Sequence, residues 1–158
     1  MQVFIPYPKI ERCVQVLDKK RLGKQRVECL QLLNAMTYRK TNDLFKENGR
    51  KRGWLNHKCT LMWVGAEQWL RHYAYQCCIE WKQRGYVDNL ANTFMLDMLF
   101  CEEPLEPPVW WGREDIHKSH RDRLVQKDPM HYLAQFRDSK YDLDADYVWV
   151  LPEGVHKV

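Results

Sequence analysis

The sequence lacks any apolar stretch that approaches the roughly 20 residues needed to cross a membrane, so we expect no membrane-spanning helix. It also lacks Cys-X-X-Cys pairs and cysteine and histidine spacings of the zinc-finger type, and we therefore predict no metal site. No secretory leader precedes the cysteines, which fall within helical patterns, so we expect reduced, buried thiols in a cytoplasmic protein. These cysteines are Cys13, Cys29, Cys59, Cys77, Cys78 and Cys101.

The pattern of apolar residues favours helices throughout the chain. There is no internal repeat, no low-complexity tract and no strong strand-like alternation of apolar and polar residues. With 158 residues, 45% of them hydrophobic, the chain has the size and composition of one globular domain. We therefore predict an all-α, compact single domain that spans residues 1–158.

Proline, glycine and the helical spacing of apolar residues divide the chain into segments. The stripe from residue 56 to residue 84 is the clearest, and we expect its helix to organise the core and to bury Trp63, Leu70 and Tyr73. The predicted segments are an extended arm at residues 1–8, one kinked helix or two consecutive helices from Ile10 to Met36, a basic surface loop at 38–53, helices at 56–84, 88–100 and 115–127, and an irregular aromatic tail.

Positive charge is concentrated in the first part of the chain. Residues 1–60 contain 14 Lys and Arg against 5 Asp and Glu, whereas residues 61–158 contain 11 against 16. Such asymmetry is typical of a surface that contacts phosphates, since neutralised phosphates release condensed counterions. The alternative is a basic face that is only solvated.

A single carboxylate, Glu28, lies among cations in the predicted helix after Gly23. Helical spacing places it on one face with Lys24 and Gln25, and Arg21 lies one turn earlier. A carboxylate on a basic, DNA-facing surface weakens phosphate binding, which suggests a chemical task for it. The alternative is a structural salt bridge between Lys24 and Glu28 on a solvated face.

A second group of polar residues lies in the predicted helix at 115–127. His117, His120 and Arg121 share a face, and no further carboxylate or cysteine stands at metal-ligand spacing. We therefore expect phosphate contacts or helix hydrogen bonds rather than a metal. The flanking aromatic residues are candidates for base stacking or for core anchors. These aromatic residues are Trp110, Trp111, Tyr132 and Phe136.

Several short motifs occur in an ordered series along the chain. The motifs are Pro6-Tyr7-Pro8, the block from Leu17 to Glu28, the segment from Trp54 to His57, Met62-Trp63, Arg84-Gly85-Tyr86 and the segment from His117 to Pro129. This series resembles the pyrimidine dimer DNA glycosylase family, in a bacterial and phage branch of it. The similarity extends over most of residues 1–136.

The resemblance implies a DNA glycosylase that acts on a damaged or modified pyrimidine in double-stranded DNA. It implies a monomer without metal or organic cofactor, in the cytoplasm of a bacterial or phage-infected cell. The catalytic glutamate of the family falls on Glu28, six residues after Leu22, whereas Val27 replaces an arginine that precedes this glutamate in the family. The residues expected to contact DNA are Lys20, Arg21, Lys24, Gln25, Arg26, His57, His117, His120 and Arg121.

The resemblance also implies that an amine attacks the sugar, with abasic-site lyase activity as a second step. A chain-terminal α-amine generally titrates about two units below a lysine side chain, so more of it is neutral near pH 7. The candidate nucleophiles are the amine of Met1, the amine of Gln2 after removal of Met1, and a lysine such as Lys20 or Lys24. A DNA-binding module without turnover and an enzyme that acts on a hypermodified base or a nucleotide remain alternatives.

Overall fold

A computed structural model describes residues 1–158 and shows a helical protein without β-strands. The only sheet-like pairing is an isolated bridge between Phe45 and Lys51. The all-α prediction is therefore confirmed. The helices are α1 (Ile10–Val16), α2 (Lys19–Lys40), α3 (Lys58–Trp63), α4 (Glu67–Gln83), α5 (Ala91–Leu99), α6 (Glu114–Lys127) and α7 (Pro129–Tyr132).

The region from Ile10 to Met36 forms two helices, the second of the two predicted arrangements, and α2 continues to Lys40. Leu17 is extended between them, and Asp18 caps α2 by accepting a hydrogen bond from the Arg21 backbone N–H (3.0 Å). The Tyr132 hydroxyl donates to the same carboxylate (2.6 Å). The break between α1 and α2 is thus stabilised by local capping and by a contact with α7.

The prediction of a single helix over residues 56–84 is wrong, because α3 and α4 are separate helices. Between them Gly65 has φ +84°, a left-handed conformation that favours glycine and that interrupts the helical hydrogen bonds. The predicted core residues are nevertheless buried, since Trp63, Leu70 and Tyr73 are at most 1% exposed. α4 packs against α1, α2 and α5, so it organises the core as expected.

The N-terminal arm at residues 1–8 is extended and runs between α2 and α6. Val3, Phe4 and Ile5 are buried in the main hydrophobic cluster of 29 residues. Side chains rather than a neighbouring strand satisfy the backbone of the arm: Phe4 N–H donates to Gln25 Oε1 (2.8 Å) and Ile5 N–H to His120 Nδ1 (3.3 Å). The arm is therefore held at a defined position from its first residues.

The chain after α7 is irregular, and Tyr147 and Trp149 pack against the core from this tail. All six cysteines are free thiols; five are buried, and Cys101 is half-buried. None of the helices combines the length and the apolar character that crossing a membrane would require.

Candidate functional site

A cavity of about 450 Å³ lies where the N-terminal arm meets α2 and α6. One carboxylate, Glu28, faces it together with five cationic side chains. We refer to it as the basic cavity. Its lining residues are Met1, Gln2, Phe4, Lys20, Arg21, Lys24, Glu28, Arg123, Lys127 and Tyr147.

Glu28 has no cationic partner within ion-pair distance, although cations surround it. None of the ten ion pairs of the protein includes Glu28 or Lys24. The Lys24 to Glu28 salt bridge considered from the sequence is therefore absent. Glu28 Oε2 instead accepts hydrogen bonds from the Gln2 backbone N–H (3.3 Å) and from Gln25 Nε2 (3.5 Å). The carboxylate is thus oriented by amide donors and remains free to accept a proton.

The start of the chain lies next to this carboxylate. The 3.3 Å contact between Gln2 N and Glu28 means that removal of Met1 would leave an α-amine beside the carboxylate. With Met1 present, the α-amine belongs to Met1, which precedes Gln2 and lines the same cavity. Burial lowers the pKa of His57, and the positive charge of the Met1 amine lowers this pKa further, while Glu28 opposes the shift. The amine, Glu28 and His57 therefore lie in one electrostatic neighbourhood.

Sequence reasoning missed four residues of the cavity wall: Phe4 on the N-terminal arm, Arg123, Lys127 and Tyr147. Arg123 and Lys127 are four residues apart on α6, which places both on one helix face, and this spacing was a usable signal. The Arg123 guanidinium lies 5.0 Å from the centre of the Tyr147 ring. Burial lowers the pKa of Lys127, and the neighbouring charges of Arg123 and Arg21 add to this effect. Nothing in the local sequence identifies Tyr147, which reaches the cavity from the tail.

A family model described as pyrimidine dimer DNA glycosylase matches residues 1–93. The chain belongs to this family. Membership implies that the protein is a DNA glycosylase with DNA as its substrate. No curated protein and no solved structure shows significant similarity to the chain. The matched residues include Met1, Gln2 and Glu28, whereas the α6 part of the basic cavity lies beyond them.

Two of the residues expected to contact DNA on α2 are buried in this glycosylase and have structural partners. Gln25 is fully buried, and its amide binds Phe4 N–H and the Gln2 carbonyl, each at 2.8 Å. Arg26 is 8% exposed and pairs with Asp88 (2.5 Å). In the structure, Gln25 and Arg26 therefore make internal hydrogen bonds and an ion pair, and their DNA contacts stay a prediction.

The expected face of His117, His120 and Arg121 also points inward, toward the N-terminal arm. His117 Nδ1 is 2.7 Å from the Ile5 carbonyl oxygen, and Arg121 donates to the Pro6 carbonyl oxygen (2.8 Å). Burial lowers the pKa of His120 to about 3, so its ring is neutral and Nδ1 can accept the Ile5 N–H. These three residues make helix and arm hydrogen bonds instead of phosphate contacts. The structure therefore favours the second of the two roles considered from the sequence.

The predicted aromatic set mostly forms the core. Trp110, Tyr132 and Phe136 are at most 2% exposed, which leaves no face for a base. Trp111 is half-buried, and its indole N–H donates to the Pro8 carbonyl oxygen (2.8 Å). These four aromatic residues therefore anchor the core and the N-terminal arm, which is the alternative to base stacking that the sequence left open. No group of three or more His, Cys, Asp or Glu side chains lies together in a way that could hold a metal ion.

His57 has a structural role that its position in the sequence did not reveal. Its Nδ1 caps α3 by accepting a hydrogen bond from the Cys59 backbone N–H (3.2 Å). The ring remains half-buried and near the charges of the cavity. Of the nine residues expected to contact DNA, Lys20, Arg21 and Lys24 line the basic cavity, and His57 is its neighbour.

Proposed function

We propose that the chain excises a damaged or modified pyrimidine from double-stranded DNA and then cleaves the strand at the resulting abasic site. One observation carries this proposal: the Gln2 backbone nitrogen lies 3.3 Å from Glu28 Oε2 at the basic cavity. An amine nucleophile and a proton acceptor must meet within hydrogen-bond reach for this chemistry. The N-terminal residue, Met1 or Gln2 after processing, supplies the amine.

The proposed reaction begins when this amine attacks C1′ of the damaged nucleotide. The bond from C1′ to the base breaks, and the base leaves with the electron pair and takes up a proton. Glu28 accepts a proton from the attacking nitrogen and passes it to O4′ as the C1′–O4′ bond breaks, which opens the sugar, gives a protonated imine and regenerates the carboxylate. Removal of a C2′ proton by the same carboxylate then expels the 3′ phosphate by β-elimination.

The cationic side chains of the cavity support a role in holding the DNA backbone. Lys20, Lys24 and Lys127 form no ion pair within the protein, so their charges are available for phosphates. The volume of about 450 Å³ falls in the range of small-molecule sites, about 300–1,000 Å³. We propose that the damaged nucleotide leaves the base stack and enters this cavity.

A substitution at Glu28 tests the proposal. Glu28→Gln keeps the shape but removes proton transfer, so we expect the single-turnover cleavage of dimer-containing and abasic duplexes to fall at least about a hundredfold. Affinity for the same duplexes should stay equal or increase, because a negative charge that faces phosphates is lost. Glu11→Gln, which changes an exposed carboxylate on α1, is the control and should cleave normally. Cleavage by Glu28→Gln at the wild-type rate would contradict the assignment.

A DNA-binding module without turnover is the second candidate, and the surface of α2 gives a specific reason for it. Val27, where the family has an arginine, is 46% exposed and offers no charge to the DNA. Borohydride reduction separates the two functions, since only an imine becomes a stable covalent bond between protein and DNA. Covalent trapping of the wild-type chain on abasic DNA supports the enzyme, and its absence supports the binding module.

A further inference from the structure

Trp54, at the end of the basic loop, has a strained backbone. Its φ is +68°, in the left-handed region that side chains with a Cβ atom rarely adopt, and bulky residues least of all. Its carbonyl oxygen accepts hydrogen bonds from the His57 backbone N–H (3.1 Å) and from the Thr60 hydroxyl (2.7 Å). These hydrogen bonds in the surrounding turn therefore hold Trp54 in this conformation despite its energetic cost.

The strained backbone does not serve to bury the indole. Trp54 is 45% exposed, whereas the large aromatic core residues, such as Trp63 and Tyr73, are at most 1% exposed. A glycine or asparagine would adopt the same turn with less strain. The tryptophan is therefore not explained by the needs of the turn or of the core. A function at the surface is the remaining physical reason for a large aromatic ring at this position.

The Trp54 ring is the outer end of a row of aromatic rings that starts at the wall of the basic cavity. We call this row, formed by Tyr147, Trp149, His57 and Trp54, the aromatic strip. The ring centres of Tyr147 and Trp149 are 5.5 Å apart, those of Trp149 and His57 are 6.3 Å apart, and those of His57 and Trp54 are 5.3 Å apart. Because Tyr147 lines the cavity, the strip leads from the proposed nucleotide site to the exposed indole.

The sequence on either side of Trp54 carries exposed cations that form no ion pair within the protein. Lys46, Arg50 and Lys58 are exposed and form none of the ten ion pairs. An exposed aromatic ring flanked by free cations is the combination that binds unpaired nucleotides: the cations follow the phosphates, and the ring stacks on a base. The charge therefore points to DNA as the molecule that meets Trp54.

We propose that Trp54 is a stacking platform for a DNA base that loses its neighbour when the damaged nucleotide enters the basic cavity. The inference rests on the proposed function, because only a nucleotide that leaves the stack exposes the face of an adjacent base. Stacking on an aromatic ring does not depend on the identity of the base, so the platform serves lesions in any sequence context.

Equilibrium binding of the full chain to two short duplexes tests the platform. One duplex contains a tetrahydrofuran abasic analogue, which cannot form an imine, and the other is its undamaged counterpart. We expect Trp54→Gly to raise the Kd of the abasic duplex roughly tenfold, the effect of one lost stacking contact, and to leave the undamaged duplex within about twofold. The melting temperature should change little, because glycine relieves the strain at φ +68° while it removes the ring contact with His57.

Two further variants separate stacking from other effects of the substitution. Trp54→Phe keeps an aromatic ring and should retain most of the preference for the abasic duplex. Phe100→Ala removes another exposed aromatic ring, 84% exposed, that lies outside the aromatic strip, and should change neither Kd. Parallel losses of affinity in Trp54→Gly and Phe100→Ala would contradict a specific platform.

The outcomes distinguish the platform from the proposed enzyme. If Trp54→Gly binds both duplexes like the wild-type chain, or weakens both equally, the platform is wrong whatever the activity. If the wild-type chain binds neither duplex, the platform and the proposed function both fail. If Trp54→Gly selectively weakens binding of the abasic duplex while the wild-type chain forms no borohydride adduct, the platform is supported and the enzymatic function fails.

Discussion

At the scale of single residues, Gln25 connects the two parts of the proposed site. Its Oε1 accepts the Phe4 N–H, and its Nε2 donates to the Gln2 carbonyl oxygen and, at 3.5 Å, to Glu28. The Phe4 donor and the Gln2 acceptor leave only one orientation for the amide. One buried side chain on α2 therefore positions both the backbone that carries the amine and the carboxylate.

Replacement of Gln25 by methionine tests this positioning role. Gln25→Met keeps the volume but leaves the Phe4 N–H and the Gln2 carbonyl unsatisfied, which we expect to cost about 1–3 kcal/mol of unfolding free energy. Single-turnover imine formation should also fall, with little change in DNA affinity. Gln68→Met is the matched control, because Gln68 is another buried glutamine, bonded to the Met98 carbonyl oxygen. Equal imine formation by the two variants at equal stability would contradict the role of Gln25.

At the scale of elements, the packing of the N-terminal arm on α6 depends on neutral histidines. Burial lowers the pKa of His117 and lowers that of His120 to about 3, while the same residues titrate near 6.5 in the unfolded chain. The unfolded state thus binds more protons below this pH. Stability contributed by the neutral rings is complete above about pH 6.5 and is lost as the pH falls toward 3.

We expect the free energy of unfolding to fall as the pH is lowered from 7 to 5, by up to about 1.4 kcal/mol per pH unit for each histidine. His120→Asn should reduce this slope, because the asparagine Oδ1 can accept the Ile5 N–H without titrating. Urea denaturation of both proteins at pH 7, 6 and 5 measures the difference. The half-buried residues Asp18 and Asp88 have lowered pKa values and titrate at more acidic pH, so they do not obscure the difference between the two slopes. Identical slopes in both proteins would be inconsistent with this role of His120.

At the scale of the whole molecule, the net charge of +4 understates the potential that DNA would meet. Five cationic side chains and one carboxylate face the basic cavity, whereas many acidic residues lie in the later part of the chain. Binding of a polyanion at such a surface releases counterions in proportion to the number of phosphates contacted. Charge distribution, more than net charge, should therefore control the affinity.

We expect the DNA affinity to decrease steeply with salt concentration, as a linear dependence of log K on log salt concentration. Lys20→Gln should weaken binding and reduce the magnitude of this slope by about one, the effect of one lost phosphate contact. Lys118→Gln is the control, since Lys118 lies on α6 outside the cavity and pairs with Asp122 at 2.8 Å. An affinity that does not depend on salt would exclude the basic cavity as a DNA surface.

The sequence by itself determined the helical class, most of the core and the central carboxylate. Local periodicity is sufficient for these features, since apolar spacing predicts the burial of Leu70 and Tyr73 on α4 and of Trp63 on α3, although the two helices are separate. Spacing alone marked Glu28 as an unusual carboxylate in a basic helix but left a salt bridge with Lys24 open, and the resemblance to the family indicated the role of this residue. The break at Gly65 was missed because an isolated glycine is compatible with a helix and becomes left-handed only through its tertiary surroundings.

Only the tertiary structure decided which polar residues line the basic cavity and which hold the arm. His117, His120 and Arg121 resemble a phosphate-binding face in the sequence, but Ile5 and Pro6, more than 110 residues away in sequence, supply their hydrogen-bond partners. The adjacent face of α6, which carries Arg123 and Lys127, forms a wall of the basic cavity. Periodicity identifies the faces of a helix but not what each one meets, because the free energy of burying a polar group depends on partners that only the folded chain provides.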